Sequence, residues 1–439
     1  MDFYHLIPKG CHAVPHERLD LRPDEDIDSE LQSVRPIVSQ KNVWFFWHAG
    51  FSALHPYTKR NIRTWHRRFS KKGWTIRVIS CHPNDALNIA NLLDIKDRNL
   101  FPDAFAEGTI GGKYAAQHTS DLVRWPLLLK YGGIYADVGM IQIGDIDRLW
   151  NETIGDPSSS YEVLSYRGPQ QQGRNLTNYF FACKAGNELF ARCHRIFLKL
   201  WQGRTDTVGL HAHPLLEGVP LQGGSFEIRE EGKPTISKEE AGKMLTDYII
   251  QGQVVSMVMG LVDEVEGWNG PDYVKNHVYG IDFMSGSQLI NELTDWNGRA
   301  QFELLSTNMP EKGTKEDEKQ RKAREIIQAV LQNSWGFKLA HGMILAVYKE
   351  TLGSLWRDNE GSDVSEGTYA ALYHTHTNFE FSRIGVILAQ YIQIHPKKSI
   401  ATSAKSCSPR AIELEAGKVA NLNTSHSRKQ EHTDHPAAY

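Results

Sequence analysis

Cysteine is scarce in this 439-residue chain: Cys11, Cys81, Cys183, Cys193 and Cys407 make an odd, scattered set without C-x-x-C spacing. That excludes a disulfide scaffold and a thiolate zinc module, and it fits free thiols in a reducing compartment. Long hydrophobic runs are also missing. No stretch approaches the roughly 20 apolar residues that a spanning helix needs, and MDFYHLIPKGCHAVPHERLD has no charged segment leading into an apolar one. A cytoplasmic protein without a transmembrane segment is the expectation. Neither charge sign is in excess, since 49 Lys and Arg face 52 Asp and Glu for a net charge of -3. With no basic tract interleaved with aromatics, no nucleic-acid partner is expected. The 19 histidines contain no H-E-x-x-H, which leaves a metal-dependent hydrolase unsupported.

What is present is an ordered alternation of strand and helix signals. SDLVRWPLLLKYGGIYADVG, residues 120–139, reads as a helix driven into a buried strand. Ser120 is a good N-cap and Asp121 adds charge to the first turn. Leu122, Val123, Leu127, Leu128 and Leu129 form an apolar side, and Gly132-Gly133 ends the helix after about three turns. Ile134 to Val138 then read as a short strand stopped by Gly139, with Asp137 near its carboxyl end. Ligands of open α/β sheets bind beyond such ends, so Asp137 suggests chemistry. Asp121 and Arg124 are three apart and share a helix face, as a catalytic pair or as an ordinary salt bridge.

Upstream, KNVWFFWHAG, a helical HPYTKRNIRTWHRRFSKKG and WTIRVIS compose a β-α-β unit. Trp44 to Trp47 alternate across the first strand, so two of the four face the core whatever the function. NYFFACKAGNELFARCHRIFLKLW, residues 178–201, reads as a strand and an amphipathic helix, and residues 312–333 as a charged helix with a buried stripe of Ile326, Ile327, Val330 and Leu331.

S-D-x-x-R, the apolar helix, K-Y-G-G-I-Y and the following aspartate resemble the core signature of GT-A type glycosyltransferases. The similarity is to the capsular polysaccharide synthesis family and the DXD-containing, family 32-like sugar transferases. The resemblance implies an α/β fold, a GT-A Rossmann-like nucleotide-sugar binding core with helical insertions. It implies transfer of a hexose, with retention, from a nucleotide sugar, UDP favoured and GDP second, to a hydroxyl acceptor such as a small-molecule aglycone or soluble glycan. Asp121, Arg124 and Asp137 become the catalytic set. Trp47 is the counterpart of a tryptophan that lies on the nucleobase, and Asn178 of an asparagine facing the sugar. FKLAHG, residues 337–342, is similar to F-K-L-T-H, where His341 would touch the diphosphate or a metal.

The departure from D-x-D is Gly139, which stands where a second acid would be. A divalent metal, Mg2+ or Mn2+, would then rest on Asp137, with Asp145, Asp147, His341, His374 and His376 as candidates to complete its shell. A non-catalytic sugar-nucleotide or glycan binder of the same fold is the alternative. The expected organisation is an N-terminal extension over 1–40, a transferase domain over 41–398 with its donor half at 41–200 and its acceptor and lid half at 201–398, and a disordered tail over 399–439. Residues 151–175 and 203–236, rich in Gly, Pro, Ser and Gln, read as long loops.

Overall fold

The computed structural model describes residues 11–168, 173–222, 227–228, 234–311, 313–340, 342–371 and 379–381. His341, His374, His376 and the expected tail lie outside the described residues. The described chain falls in one compact unit.

Its centre is a six-stranded sheet. β1 (Asn42–Phe46), β2 (Thr75–Ile79) and β3 (Gly133–Ala136) are parallel, with β1 in the middle. A further strand, β4 (Met140–Gln142), follows β3 outside this sheet. β5 (Val163–Gly168) and β6 (Asn175–Cys183) continue the sheet, β6 running antiparallel to both β3 and β5, and β7 (Val278–Asp282) closes it parallel to β5. The spatial order is β7-β5-β6-β3-β1-β2. β8 (Gly336–Lys338) pairs antiparallel with β4 in a separate two-stranded ribbon.

The β-α-β unit forms as its pattern requires. His55 caps α2 (Pro56–Phe69), Pro56 takes the first helical position, and α2 carries the chain from β1 to β2. Before it, α1 (Asp24–Leu31) buries Ile27 and Leu31 against the same layer. Helices cover both faces of the sheet, so the strands are apolar throughout rather than alternating with polar residues. Val43, Phe45, Ile134 and Phe180 join one core cluster, and Trp44, Phe46, Tyr135 and Phe181 the other. α4 (Glu188–Leu200) and α6 (Ile250–Gly260) build the second cluster, with α5 (Lys238–Tyr248) leading into α6. A third cluster lies around α7 (Glu318–Asn333), whose buried stripe is Ala323, Ile326, Ile327, Val330 and Leu331.

Two sequence expectations are corrected here. The central helix, α3, spans Ala115–Tyr131, so Ser120 is inside it and is not its cap, and Asp121 is not in its first turn. Ala115 and Ala116 are strong helix formers and extend it backwards. Pro126 consequently sits in the helix interior, where it removes one backbone bond, and burial of most of the surrounding turns compensates. The stretch 151–175 is not one loop, because V-L-S-Y at its centre forms β5.

Gly133 is required by close approach. Its φ is +98°, and a Cβ there would lie 2.4 Å from the Asn42 carbonyl oxygen of β1. The K-Y-G-G turn thus sets α3 down against the sheet and starts β3 in register beside β1.

Candidate active site

β1 and β3 are parallel neighbours, so their carboxyl ends share one edge of the sheet. Trp47 is the first residue past β1, its N–H donating to Ile79 O at 2.9 Å, and Asp137 is the first residue past β3. Antiparallel β6 places Ala136 opposite Phe180, and the Asp137 N–H donates to Tyr179 O at 2.9 Å. That register brings Asn178 to the same edge. α3 lies over it and presents Asp121 and Arg124 inward, both buried.

Arg124 organises the centre. Its Nη2 lies 2.8 Å from Asp121 Oδ1, 3.7 Å from Asp137 Oδ1 and 3.2 Å from Ser120 Oγ, while Nη1 donates to the Asn178 carbonyl oxygen. The guanidinium carbon lies 4.7 Å over the Tyr135 ring, whose hydroxyl is 2.6 Å from Ser120 Oγ. Asn178 Nδ2 stands 3.4 Å from Asp121 Oδ1, and Gln251 Nε2 donates to the Asp121 carbonyl oxygen at 3.0 Å. The buried Arg124 Nε has no hydrogen-bond partner.

Burial pushes the Asp121 carboxyl up to about 7, with Arg124 opposing the rise, the nearby Asp137 adding to it and the Asn178 hydrogen bond opposing it. Burial is also the first cause of the raised Tyr135 phenol, and of Tyr179, pushed up to about 12. The centre is therefore a buried carboxyl–guanidinium pair whose open side is Asp137, 31% exposed.

Of the residues expected from the sequence, Asp121, Arg124, Asp137 and Asn178 form one network. Trp47 lies half-buried at the same edge, packed against the core cluster that holds Val43 and Phe45. Three of the four aromatics in WFFW are buried rather than two, because both sheet faces are covered.

Asp145 and Asp147 do not join the centre. Asp145 caps the helix Ile146–Glu152 and pairs with Lys72 at 2.7 Å; Asp147 accepts from Lys41 Nζ at 2.6 Å and from Trp74 Nε1 at 2.9 Å. Their oxygens are taken by protein cations and N–H groups. Asp137 is then the one expected carboxylate ligand left at the site. Mg2+ can be held by one or two carboxylates with phosphate oxygens and waters, so these residues fit a metal that arrives with a diphosphate.

Among the described residues, one other group has ligand-type atoms close together: Asp20, Glu30 and His66. It does not fit an ion. Arg22 holds both carboxylates at 2.5 Å, and His66 turns Nδ1 toward Asp20 at 3.6 Å and Nε2 toward Glu30 at 3.2 Å, so the ring bridges two acids and does not join them around one point. The Arg22 contact holds Asp20 down at about 2.

Sequence reasoning passed over Lys338, whose Nζ lies 3.3 Å from Asp137 Oδ2. Its signal was present in FKLAHG, where attention went to the histidine. Tyr248 was also missed; its phenol is raised first by burial and then by the charges of Asp121 and Asp137, and it packs on Gly342 beside that segment. Phe337 and Leu339 project to the other side of β8 from Lys338 and line a separate concavity with Trp296 and Tyr348.

Residues 22–209, which carry this centre except Tyr248, Gln251 and Lys338, match the model of the capsular polysaccharide synthesis protein family. The O-glycosyltransferase braB of Annulohypoxylon truncatum is 35% identical over 83% of this chain and 86% of its own. The chain is a glycosyltransferase of the capsular polysaccharide synthesis family. Comparable likeness is found to the glycosyltransferase afumC of Aspergillus fumigatus, 34% identical over 82% of this chain and 90% of its own, and to the O-glycosyltransferase PaGT of Phomopsis amygdali, 31% identical over 91% and 94%. This glycosyltransferase has, among its described residues, no helix long and apolar enough to cross a membrane.

Proposed function

We propose that this glycosyltransferase moves a hexose, with retention, from a UDP-sugar, or from a GDP-sugar in second place, to a hydroxyl of a small-molecule aglycone or soluble glycan. The support is the buried Asp121–Arg124 pair with Asp137 and Asn178 beside it, at the edge where sheet topology places ligands. The hydroxyl acceptor is consistent with relatives whose names carry O-glycosyltransferase. The GT-A, family 32-like assignment belongs to the same proposal.

In the reaction, the anomeric C–O bond to the diphosphate breaks and its electron pair leaves on the phosphate oxygen. The acceptor oxygen bonds to that carbon, and its proton passes to the departing phosphate. Asp121 and Arg124 hold the donor hexose by its hydroxyls, Arg124 being locked in place by Ser120, Tyr135 and the Asn178 backbone. Asn178 orients Asp121 and faces the sugar, Trp47 supplies an indole face to the nucleobase, and Asp137 anchors the diphosphate. A divalent ion on Asp137 would supply Lewis-acid neutralisation of the leaving group. The donor half, 41–200, thus carries all five side chains, within a catalytic domain over 41–398; His341, outside the described residues, stays a candidate diphosphate contact.

Calorimetric titration of UDP, GDP and their hexose conjugates, with Mg2+ or Mn2+ and again with EDTA, tests this. Binding of one nucleotide class is expected. A folded protein that binds no nucleotide under any condition sinks the proposal.

A further inference from the structure

Lys338 reaches the centre from a part of the chain far removed from the donor half, and the fold holds it there by backbone pairing. β8 runs antiparallel to β4 with Lys338 opposite Met140, and the Leu339 N–H donates to Gly139 O at 2.9 Å. Gly336 leaves room there for Met140, whose Cε would lie 2.1 Å from a Cβ at that position. The lysine stem crosses the Tyr179 ring, its Nζ 5.6 Å from the centroid, and ends 2.8 Å from Leu339 O and 3.3 Å from Asp137 Oδ2. The side chain is 14% exposed.

The chemistry of that placement is specific. Position 139, two residues after Asp137, is a glycine, so no second carboxylate follows Asp137 to hold a cation. The structure instead sets a lysine side chain against Oδ2 of Asp137, while Arg124 faces Oδ1. An ammonium group has three donors, and here Leu339 O and Asp137 account for two directions. Asp137, at 31%, is the more exposed partner, so a ligand reaching the carboxylate from solvent meets the ammonium group beside it.

We propose that Lys338 is a diphosphate-binding residue of the donor site: its ammonium group contacts the β-phosphate of a bound nucleoside diphosphate and meets the negative charge that develops on it as the sugar leaves. This rests on the donor-site reading above. It adds a contact outside the signature-bearing half of the chain and makes β8 part of the active site.

The test is calorimetry on the full chain with UDP against UMP and GDP against GMP, for wild type, Lys338→Met and Lys338→Arg, with melting temperatures beside it. The methionine keeps the stem and removes the charge. It should weaken the diphosphate by about tenfold or more while changing the monophosphate by less than about twofold, and Lys338→Arg should restore most of the difference. Diphosphate binding unchanged in Lys338→Met overturns the proposal. Equal loss of mono- and diphosphate with a lowered melting temperature also overturns it, since that marks a structural tie. A folded wild type that binds neither UDP nor GDP removes the donor site itself, and Lys338's role with it.

Discussion

The guanidinium of Arg124 stands 3.7 Å from the carboxylate of Asp137, and that short gap joins the central helix to the end of the central strand. Both elements pack into one core through Leu122, Val123, Leu127, Tyr135 and Phe181, so side chains thirteen residues apart in sequence are held in fixed relation. A site of this kind needs little rearrangement to meet an anionic donor. Its guanidinium is already in place.

Asp137 is the open member of the network and the proposed diphosphate anchor. Asp137→Ala is expected to lose donor binding and turnover by about 100-fold or more, measured by titration of the nucleotide sugar and by steady-state kinetics, with the melting temperature nearly unchanged. Wild-type turnover in this variant would remove Asp137 from the mechanism.

Asp147 is the contrasting acid. Asp147→Ala strips the partners from Lys41 and from the buried Trp74 N–H, and it should cost about 1–3 kcal/mol of stability while kcat of the folded enzyme stays within about twofold. Denaturant unfolding and turnover on the same preparation separate the two effects.

The raised Asp121 carboxyl links stability to pH. Its ordinary value is 3.8 and burial lifts it to about 7, so between the two the folded protein binds a proton that the unfolded chain has released. This group's contribution is full below about pH 4 and is lost as pH rises toward 7. Comparing unfolding free energies of wild type and Asp121→Asn across pH 4 to 8 should show this downward component in the wild type alone. Parallel profiles would mean that Arg124 keeps Asp121 ionised throughout.

The Asp20–Glu30–His66 group should ignore metals. Addition of Zn2+ or EDTA is expected to leave the melting temperature unchanged, because Arg22 bridges both carboxylates and Arg35 pairs with Glu30 as well. A rise with Zn2+ that His66→Ala abolishes would show an ion site there.

Gly336→Ala should act at a distance on the centre. The new Cβ would lie 2.1 Å from Met140 Cε, the movable end of that side chain, and 3.0 Å from the Ile141 carbonyl oxygen, so β8 must shift slightly against β4. A loss of about 1–3 kcal/mol is expected, accompanied by weaker diphosphate binding as Lys338 withdraws. Unchanged binding in a destabilised variant would separate β8 from the donor site.

Local chemistry in the sequence determined a good deal by itself. The β-α-β opening, the glycine turn before β3, the amphipathic α4 and the charged α7 follow from capping residues, glycines and periodicity, which act over a few residues. Asp121, Arg124 and Asp137 were legible as candidates because helix spacing and a strand end are local facts, and the resemblance to a family attached chemistry to them. Tertiary structure decided the rest. It withdrew Asp145 and Asp147 by giving them Lys72, Lys41 and Trp74 as partners, and it extended α3 back past Ser120, turning Asp121 from a solvated first-turn acid into a buried one. It also delivered Lys338 to Asp137 across two hundred residues of chain. Such pairings depend on strand register and on which side chains are taken out of water together, and neither is written in the neighbours of any one residue.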